Sequence, residues 1–441
     1  MKTNPLSGRD VATRLDQKLR ELNCRQLAKQ TGFQRRKPRK ITPKGFLRAL
    51  CLSTLAGRLS MEHLALMIGC LAQQTVSKQA IAKRLTAAAT GFVQQALYTT
   101  LSNTADWKRV ARKGYFSSFG RVILNDSTCL SLPAPLAKAY PGNGNVTGKS
   151  LAVLKIQTFY DLLQDRILTL SLSGFTRNDQ AASPDILAVA RKGDLVLRDL
   201  GYFVLNVFAS LGKNGVFFLS RWKYGTHVYS KTGQPVDLWR TLRSRGSFDE
   251  WVCLGNDRVP VRLVALPISS SQAAARRRQA RQNRDQRCQP ARERLGLMNW
   301  EIFITNVPAS IWSTAAIAEV YGVRWRIEVI FKAWKSGFRL DRLPPHGSQF
   351  QIEVLIFAQL LLITLFHAFF EQLQLFCQHR HRRSISLLRL VDVLVWVLPH
   401  AGKPLIPRIT PTLLLALCLR HAAYDKRQEQ KHFFQSAFGL G

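Results

Sequence analysis

The stretch RVILNDSTCLSL at residues 121–132 has the composition of a strand, with the apolar run Val122-Ile123-Leu124 at its start and apolar and polar residues in alternation at its end. Residues 151–162 (LAVLKIQTFYDL) and 166–175 (RILTLSLSGF) have similar patterns, in which β-branched and aromatic residues are frequent. A period of two residues is typical of strands, and the short spacing between these segments favours antiparallel hairpins. Residues 121–175 therefore predict three consecutive strands.

Further segments continue this order on the C-terminal side. Ser183-Pro184-Asp185 is a favourable helix start, because proline fits the first turn and an acid there complements the helix dipole. A strand at residues 195–200 (LVLRDL), a helix through residues 201–211 and a strand at residues 216–222 follow. The predicted fold class is α/β, and the order of three strands, helix, strand, helix and strand resembles a ribonuclease-H-like mixed sheet.

The charge of the chain points to a class of partner. Its 441 residues include 64 Lys and Arg against 27 Asp and Glu, which gives a formal net charge of +37. Hydrophobic residues make up 46% of the chain, enough for folded cores and unlike a disordered tail. A compact body with this excess repels itself unless a polyanion neutralises it. Nucleic acid is therefore the predicted partner.

The N-terminal region combines a basic arm with a helical pattern. Residues 1–50 carry 14 Lys and Arg against 3 acidic residues. The following pattern indicates a helix capped by Ser60, a polar turn, and a basic second helix that starts near Ser77. This arrangement fits a helix-turn-helix that enters the major groove, although any small helical bundle has a similar pattern. The second helix would present Lys78, Gln79, Lys83 and Arg84.

Other classes of protein are disfavoured by the sequence. No apolar segment follows the basic residues at the N-terminus, so no secretory signal is indicated and a cytoplasmic location is expected. The 17-residue apolar run from Val354 to Phe370 contains Gln359 and His367, which favours a buried helix over a membrane span. The eight cysteines form no C-x-x-C pair, so zinc sites and disulfide frameworks are not predicted.

Two aspartates are placed where metal-dependent chemistry on phosphodiesters would need them. Asp126 lies within the first strand, where an acid is costly unless a cation or a partner compensates its charge. Asp199 ends the fourth strand. Because the first and fourth strands are neighbours in the predicted sheet, the two carboxylates are expected to share one site. Two-metal chemistry requires carboxylates that converge in this way from different elements, and a third acid would complete the set.

Glu328 supplies the third acid on a helix predicted over residues 313–337. On this helix Tyr321, Arg324, Glu328 and Lys335 are separated by 3, 4 and 7 positions, which places all four on one face. An amphipathic surface helix with an i,i+4 Arg–Glu pair would have the same spacing. The spacing also matches, at every position, the Y-(2)-R-(3)-E-(6)-K signature of DDE transposases of the insertion sequence four type, the group that includes the transposon-five transposase.

The resemblance to this family extends over residues 120–340. Asp126-Ser127-Thr128 resembles the strand of the first catalytic aspartate, and Asp199-Leu200-Gly201-Tyr202-Phe203 resembles the strand end of the second. Residues 300–307 (WEIFITNV) resemble the strand that leads into the signature helix. The resemblance implies that Asp126, Asp199 and Glu328 are the catalytic residues and bind two Mg²⁺, with Mn²⁺ as a substitute.

The resemblance also implies how DNA is held. Tyr321, Arg324 and Lys335 would contact phosphates near the cut end. Members of the family cut through a hairpin and place a flipped base on an aromatic surface, for which Trp300 and Trp325 are the candidates here. On composition alone, a core position is favoured over a stacking surface for each tryptophan. Arg198 and Lys149 are further candidates for contact with the DNA backbone.

The predicted function is therefore that of a cut-and-paste DNA transposase. It would cleave double-stranded DNA at the transposon end repeats and transfer those ends into target DNA, as a homodimer or larger assembly on the nucleoid and without a membrane. Two alternatives stay open: a ribonuclease-H-like nuclease or recombinase without transposition, and a domesticated transposase that only binds DNA.

The predicted domains follow from the motifs and from changes in composition. A segment rich in short strands interrupts the catalytic core, and it carries eight arginines between Arg276 and Arg294 against Asp285 and Glu293. These arginines favour phosphate contact, although a solvated helix would also accommodate them. The predicted divisions are a DNA-binding region at 1–110, a catalytic core at 111–222 and 311–345, a β-rich insertion at 223–310, and a helical C-terminal region at 346–441.

Overall fold

The computed structural model describes most of the chain, including the three predicted catalytic acids and the signature residues. The described residues are 19, 21–38, 40–55, 57, 59–103, 114–144, 150–282, 290–344, 347–397 and 411–423. The predictions for the arm up to residue 18, for Lys149, and for the stretches 283–289, 398–410 and 424–441 lie outside them.

The described residues form one ten-stranded mixed sheet with helices around it. The strands are β1 Val122–Leu132, β2 Pro141–Gly144, β3 Ser150–Asp161, β4 Arg166–Gly174, β5 Leu195–Arg198, β6 Phe217–Arg221, β7 Val228–Tyr229, β8 Phe248–Leu254, β9 Val259–Pro267 and β10 Trp300–Thr305. The α-helices are α1 Cys24–Gln30, α2 Pro43–Leu55, α3 Met61–Ala72, α4 Lys78–Ala82, α5 Ala87–Asn103, α6 Asp179–Ala182, α7 Leu205–Lys213, α8 Leu238–Arg245, α9 Ser270–Arg281, α10 Arg292–Leu297, α11 Thr314–Gly322, α12 Arg326–Lys332, α13 Gln349–His381, α14 Leu387–Val397 and α15 Pro411–Leu417.

The first five long strands have the order expected from the sequence. The sheet runs β2-β3-β1-β5-β6-β10-β9-β8-β7, and β4 pairs with β3 away from this path. The β1–β3 and β3–β4 pairs are antiparallel, whereas β1–β5 and β5–β6 are parallel. The predicted adjacency of the first and fourth strands is therefore confirmed. This order is consistent with a ribonuclease-H-like core.

Two segments differ from the expected secondary structure. The predicted helix at Ser183 is a 3₁₀-helix over Ser183–Ala188, which follows the one-turn α6. A continuous α-helix would need a backbone N–H at Pro184, which proline lacks. Residues 223–310 contribute strands β7–β10, but these extend the same sheet through the β10–β6 pair, and α8–α10 make the segment as helical as it is β.

Side chains of the central strands alternate between two cores, one on each face of the sheet. In β5, Leu195 and Leu197 join the core that contains the N-terminal helices and α12, while Val196 joins the opposite core with α7. In β1, Leu124 faces the first core and Ile123 the second. Continuing this period of two, positions 126 and 199 fall on the face that carries α12. The strand pattern thus aims both aspartates at the predicted signature helix.

Helix α13 joins the N-terminal helices to the sheet. The hydroxyl Oγ1 of Thr90 in α5 donates to the carbonyl of Phe350 at 3.3 Å, and the hydroxyl of Tyr140 donates to Glu353 Oε1 at 2.8 Å. Among the described residues, the segment Gln349–His367 of this helix is the one stretch long and apolar enough to cross a membrane, but 94% of its apolar window is buried inside the structure. The predicted burial of this run is confirmed.

His367 on α13 predicts a specific pH dependence of stability. Burial lowers the pKa of His367 to about 4 from an ordinary 6.5, and its Nε2 accepts a hydrogen bond from the Trp334 indole at 3.2 Å. Between pH 6.5 and 4 the unfolded chain binds a proton that the folded one does not, so stability falls as the pH falls. The loss is about 1.4 kcal/mol per pH unit and on the order of 3 kcal/mol in total.

The measurement is urea unfolding of the wild type and of His367→Gln at pH 7.5 and pH 5. Glutamine keeps an acceptor for Trp334 but does not titrate in this range, so the wild type should lose more stability than the variant on acidification. Asp161, whose pKa burial raises to about 6, contributes the opposite slope, but it does so in both proteins and cancels in the difference. Parallel pH profiles for the two proteins would contradict a neutral buried histidine.

Candidate active site

Asp126 lies in the middle of β1 at the face of the sheet that carries α12. Its Oδ1 accepts a hydrogen bond from the backbone N–H of Ser127 at 2.7 Å, and its side chain is 18% exposed. Burial raises the pKa of Asp126 to about 7, and the neighbouring charges of Asp199 and Glu328 contribute in the same direction. Arg324 opposes this shift. Asp126 is thus a carboxylate within a strand, and its ionised form requires a neighbouring cation.

Asp199 follows the last residue of β5 and caps the 3₁₀-helix Leu200–Tyr202, where its side chain accepts from the N–H of Gly201. At 42% exposure its side chain is more accessible than that of Asp126. Asn125 of β1 lies opposite Arg198 of β5 in the parallel register, so the two aspartates follow paired positions of adjacent strands. This register accounts for the convergence of two acids that lie far apart in the sequence.

The predicted signature helix exists, but it is not one regular α-helix. It begins as α11, tightens into a 3₁₀ turn over Val323–Trp325, continues as α12, and ends in a π-helical turn over Ala333–Gly337. The prediction of an uninterrupted helix over 313–337 was wrong in this respect. Local rewinding is common where tertiary packing sets the position of side chains, and here it occurs at Arg324 and Lys335.

Arg324 brings the three acids together. Its guanidinium contacts Glu328 Oε1 at 2.9 Å, Asp126 Oδ2 at 3.6 Å and Asp199 Oδ1 at 3.6 Å. The first contact is a hydrogen bond within one helical segment, and the other two are ion pairs to two different strands. Although burial lowers the pKa of Arg324, Tyr321 and these acids outweigh it and raise the pKa. One guanidinium therefore stands at the centre of three carboxylates from three elements.

The donor set fits a hard divalent cation, because carboxylate oxygens are the ligands that Mg²⁺ prefers. The carboxylates already surround one positive group, and their mutual repulsion contributes to the raised pKa of Asp126. Across the part of the chain that the structure describes, however, no three acidic, cysteine or histidine side chains stand close enough together to bind a single ion. The three carboxylates surround the Arg324 guanidinium and are too far apart to bind one ion together.

Tyr321 and Lys335, the other signature residues, have different surroundings. Tyr321 is buried, and its hydroxyl donates to the backbone carbonyl of Arg198 at 3.4 Å, which ties α11 to the end of β5. Contact of this hydroxyl with a phosphate would require that hydrogen bond to break. Lys335 is half-buried in the π turn, and its charge is close enough to lower the pKa of Cys129 in part, although burial raises that pKa overall.

The two tryptophans differ in accessibility. Trp325, which follows Arg324 in the sequence, is 61% exposed, so a large part of its ring is accessible to solvent. Trp300 at the start of β10 is half-buried, packs against the second core, and donates its indole N–H to the carbonyl of Gly246 at 2.6 Å. Trp325 is therefore the more accessible of the two, and Trp300 joins β10 to the end of α8.

Arg198 does not lie where contact with DNA would require it. It is fully buried on the second face of the sheet, and burial lowers its pKa to about 10. Its Nη2 donates to Asn125 Oδ1 at 3.0 Å and to the carbonyl of Ser183 at 2.9 Å. Alternation explains this placement, because Arg198 follows Leu197 and therefore faces away from Asp199 and α12.

Sequence reasoning missed a polar cluster beneath the site. Asp179 Oδ1 accepts from Ser127 Oγ at 3.0 Å, Lys155 Nζ at 3.0 Å and Gln157 Nε2 at 3.3 Å. The side chains of Lys155 and Gln157 are buried on the face of β3 opposite to that of Ile156. A lysine and a glutamine at alternate positions of an otherwise apolar strand were the signal that could have indicated it. The cluster fixes the backbone that follows Asp126.

Comparisons with known proteins show the family to which the chain belongs. The family described as "Transposase DDE domain" matches residues 117–365, more than half of the chain. The chain is 26% identical to the transposase for insertion sequence element IS231D of Bacillus thuringiensis subsp. finitimus, over 92% of this chain and 90% of that protein. It is 26% identical to the transposase for element IS1151 of Clostridium perfringens, over 74% and 72% respectively.

A solved structure is also similar to this chain. The synaptic complex of piggyBac transposase with hairpin DNA aligns with a TM-score of 0.43 at 10% identity, covering 94% of this chain and 87% of that one.

Proposed function

Since the chain belongs to the family of transposases with a DDE domain, we propose that it cuts DNA at both ends of an insertion sequence and joins those ends to target DNA. A single observation carries the assignment of the site: Asp126, Asp199 and Glu328, from three separate elements, all lie within 4 Å of the Arg324 guanidinium. The spacing of Tyr321, Arg324, Glu328 and Lys335 supports the insertion sequence four type, and the strand order supports a ribonuclease-H-like core.

The three carboxylates would hold two Mg²⁺, or Mn²⁺ in their place. When bound, this metal pair would activate water and then a 3′-hydroxyl for in-line attack on a phosphodiester. The N–H of Ser127 donates to Asp126, and Asp199 caps the turn that follows β5, so the backbone orients both acids towards the site. Arg324 and Lys335 would contact phosphates near the cut end, and the open face of Trp325 would stack on an unpaired base, a role for which Trp300 is the second candidate.

Double-stranded DNA is the proposed substrate, both as the end repeats and as the target. Helix α9 carries four arginines, of which Arg276 pairs with Glu301 at 2.5 Å and Arg277 donates to Asn299. Arg278 and Arg281 stand in the last turn of the same helix. Because two ends must be cut and joined together, the active form would be a homodimer or larger assembly on DNA.

The experiment that tests this function uses the DNA that flanks the reading frame. Linear DNA carrying both flanks is incubated with the protein and Mg²⁺, and a supercoiled plasmid is added as target. We expect nicks at the ends, a hairpin product on denaturing gels, and joining to the plasmid; scrambled flanks should give none of these. Nicks and linear cuts without hairpins or joining would favour a nuclease, and binding without cleavage would favour a domesticated DNA-binding protein.

The helix-turn-helix prediction has a test of its own. In α4 and just after it, Lys78, Gln79 and Lys83 are exposed, whereas Arg84 is half-buried and donates to the carbonyl of Phe33 at 3.3 Å. Replacing the three exposed residues with alanine should weaken binding to the specific end by about 10- to 100-fold and binding to random DNA far less, because base contacts carry specificity. Fluorescence anisotropy with both DNAs measures the two affinities.

A matched control for this variant lies on α1. Arg25, Gln26 and Lys29 are also exposed and have the same kinds of side chain. Their replacement with alanine should reduce both affinities by a similar small factor. Equal losses on specific and random DNA for the α4 variant would mean that this helix contacts only the backbone.

A further inference from the structure

We propose that Arg324 competes with the catalytic metal for the three carboxylates, so that the protein binds its metal tightly only after a DNA phosphate has drawn Arg324 away. This inference rests on the proposed function, because it takes Asp126, Asp199 and Glu328 as the metal ligands.

The guanidinium of Arg324 lies where it can compete with a metal ion for the three acids. Arg324 contacts one oxygen of each acid, at 2.9 Å for Glu328 and 3.6 Å for both aspartates. Its side chain is only 14% exposed, so it is held among these acids rather than extended into solvent. A cation that enters would meet a fixed positive charge at the point on which the three carboxylates converge. Charges of like sign at this range repel strongly where water is partly excluded.

The spacing of the acids carries the second step. In the described residues, no three potential ligands are close enough together to hold one ion. The carboxylates therefore have to move inward around the ion, and the hydrogen bond between Glu328 and Arg324 has to break. The contacts with Arg324 offset the negative charge of the acids and thereby lower the free energy gained on binding a metal ion.

Arginine can exchange a carboxylate partner for a phosphate. A guanidinium binds phosphate in a two-pronged geometry as readily as it binds carboxylate. Phosphate is therefore an alternative partner of the same kind, and it can approach from solvent because the side chains of Asp199 and Glu328 beside Arg324 are 42% and 35% exposed. Binding of a DNA phosphate would transfer the guanidinium from the acids to the DNA. By linkage, DNA then raises metal affinity, and metal raises DNA affinity by the same factor.

The competition would restrict cleavage to DNA that is bound at the active site. A protein with a net charge of +37 binds any DNA weakly through its basic surface. If the metal pair assembles only where a phosphate reaches Arg324, contacts elsewhere on the surface leave the site without its metal.

The experiment measures Mn²⁺ binding directly, by the electron paramagnetic resonance signal of free Mn²⁺, and needs no cleavage. In the absence of DNA, Arg324→Gln should bind Mn²⁺ at least about tenfold more tightly than the wild type. A factor of this size is within the usual range for the coupling between two binding sites. Lys332→Gln removes one positive charge from an exposed position on the same helix and should change the affinity by less than about twofold. Arg324→Lys keeps a charge at the site and should remain within a few-fold of the wild type.

A second measurement keeps the proposal testable if Arg324→Gln folds poorly. Uncut end DNA should tighten Mn²⁺ binding to the wild type by about tenfold. The reason is the same coupling, because DNA removes Arg324 from the acids as the substitution does. An unchanged affinity on addition of DNA would overturn the proposal.

Asp126→Asn separates failure of this inference from failure of the proposed function. If Asp126→Asn loses Mn²⁺ binding while Arg324→Gln binds no more tightly than the wild type, the metal site stands and the competition is refuted. If the double variant Asp126→Asn with Arg324→Gln binds Mn²⁺ as well as Arg324→Gln alone, Asp126 is not a ligand, and both the inference and the proposed three-carboxylate site are wrong.

Discussion

Glu328→Gln is expected to reduce Mg²⁺-dependent cleavage at the DNA ends by about three orders of magnitude or more, equivalent to about 4 kcal/mol of activation free energy. The amide preserves the size of the side chain and an acceptor for the Arg324 hydrogen bond, now 2.9 Å long. It removes the charge that a divalent cation needs. Affinity for the ends, measured in EDTA so that no metal contributes to it, should change by less than about twofold, because the DNA contacts lie on other residues. Single-turnover cleavage and anisotropy on the same DNA measure the two effects.

Glu319, in the helix that precedes the segment of Glu328, provides a matched control. Glu319 in α11 accepts a hydrogen bond from the Tyr115 hydroxyl at 3.0 Å and has no contact with the three acids. Glu319→Gln makes the same chemical change outside the site and should cleave within about threefold of the wild type. Retained cleavage in Glu328→Gln, or equal loss in both variants, would remove Glu328 from the proposed metal ligands.

The convergence of the acids was predictable from the sequence because strands alternate with a fixed period. Asp126 and Asp199 each stand two positions after a leucine of the first core, so both had to face the same layer. The parallel β1–β5 pair then brings them to the same part of that face. The helical spacing of Arg324 and Glu328 is equally local, since an i,i+4 pair meets on any α-helical segment.

The exact winding of the signature segment could not be predicted. Nothing in residues 323–325 or 333–337 requires a 3₁₀ or a π turn; the turns depend on packing, for example where Gly337 lies so close to Val391 of α14 that an added Cβ would stand 2.5 Å from its side chain. The burial of Tyr321 depends in the same way on the β5 backbone that it meets. Contacts of this kind join residues distant in sequence, and no local pattern encodes them.

The joining of residues 223–310 to the sheet was missed for a related reason. The strands of this segment were recognisable, but the sequence does not specify that β10 pairs with β6 and so makes one sheet of ten strands. The pairing matters for the site, because it places β9 against the start of the signature helix. Arg262 on β9 makes that connection.

Arg262→Ala is expected to destabilise the protein by about 3 kcal/mol, the lower end of the usual cost of leaving a buried charge without its partner, because the Asp249 side chain that remains is 25% exposed. The Arg262 side chain is 2% exposed. It donates to both oxygens of Asp249 at 2.7 Å and to the carbonyl of Trp312 at 2.8 Å. Asp249 in turn accepts from the hydroxyl of Thr314, the first residue of α11, at 2.5 Å. The variant leaves Asp249 without its ion-pair partner and removes the Arg262 donor from the Trp312 carbonyl, at the base of the signature helix.

The control for this variant is the exposed pair between Arg245 and Glu250. Its distance of 2.8 Å is almost the same, but both side chains are more than half exposed, at 59% and 57%. Arg245→Ala should therefore cost less than about 1 kcal/mol, because water replaces the lost partner. Urea unfolding of both variants against the wild type compares a buried ion pair with an exposed one of equal length.

A double variant decides why Arg262 matters. If the cost of Arg262→Ala is mainly that Asp249 is left as an uncompensated charge, then Arg262→Met combined with Asp249→Leu should recover more than half of the lost stability, since apolar replacement of a whole buried pair is often close to neutral. The double variant would still lack the acceptor of Thr314, so α11 would begin without its anchor and cleavage should stay low while stability returns. Recovery of both would mean that packing alone positions the helix, and recovery of neither would mean that the carbonyls capped by Arg262 carry most of its contribution.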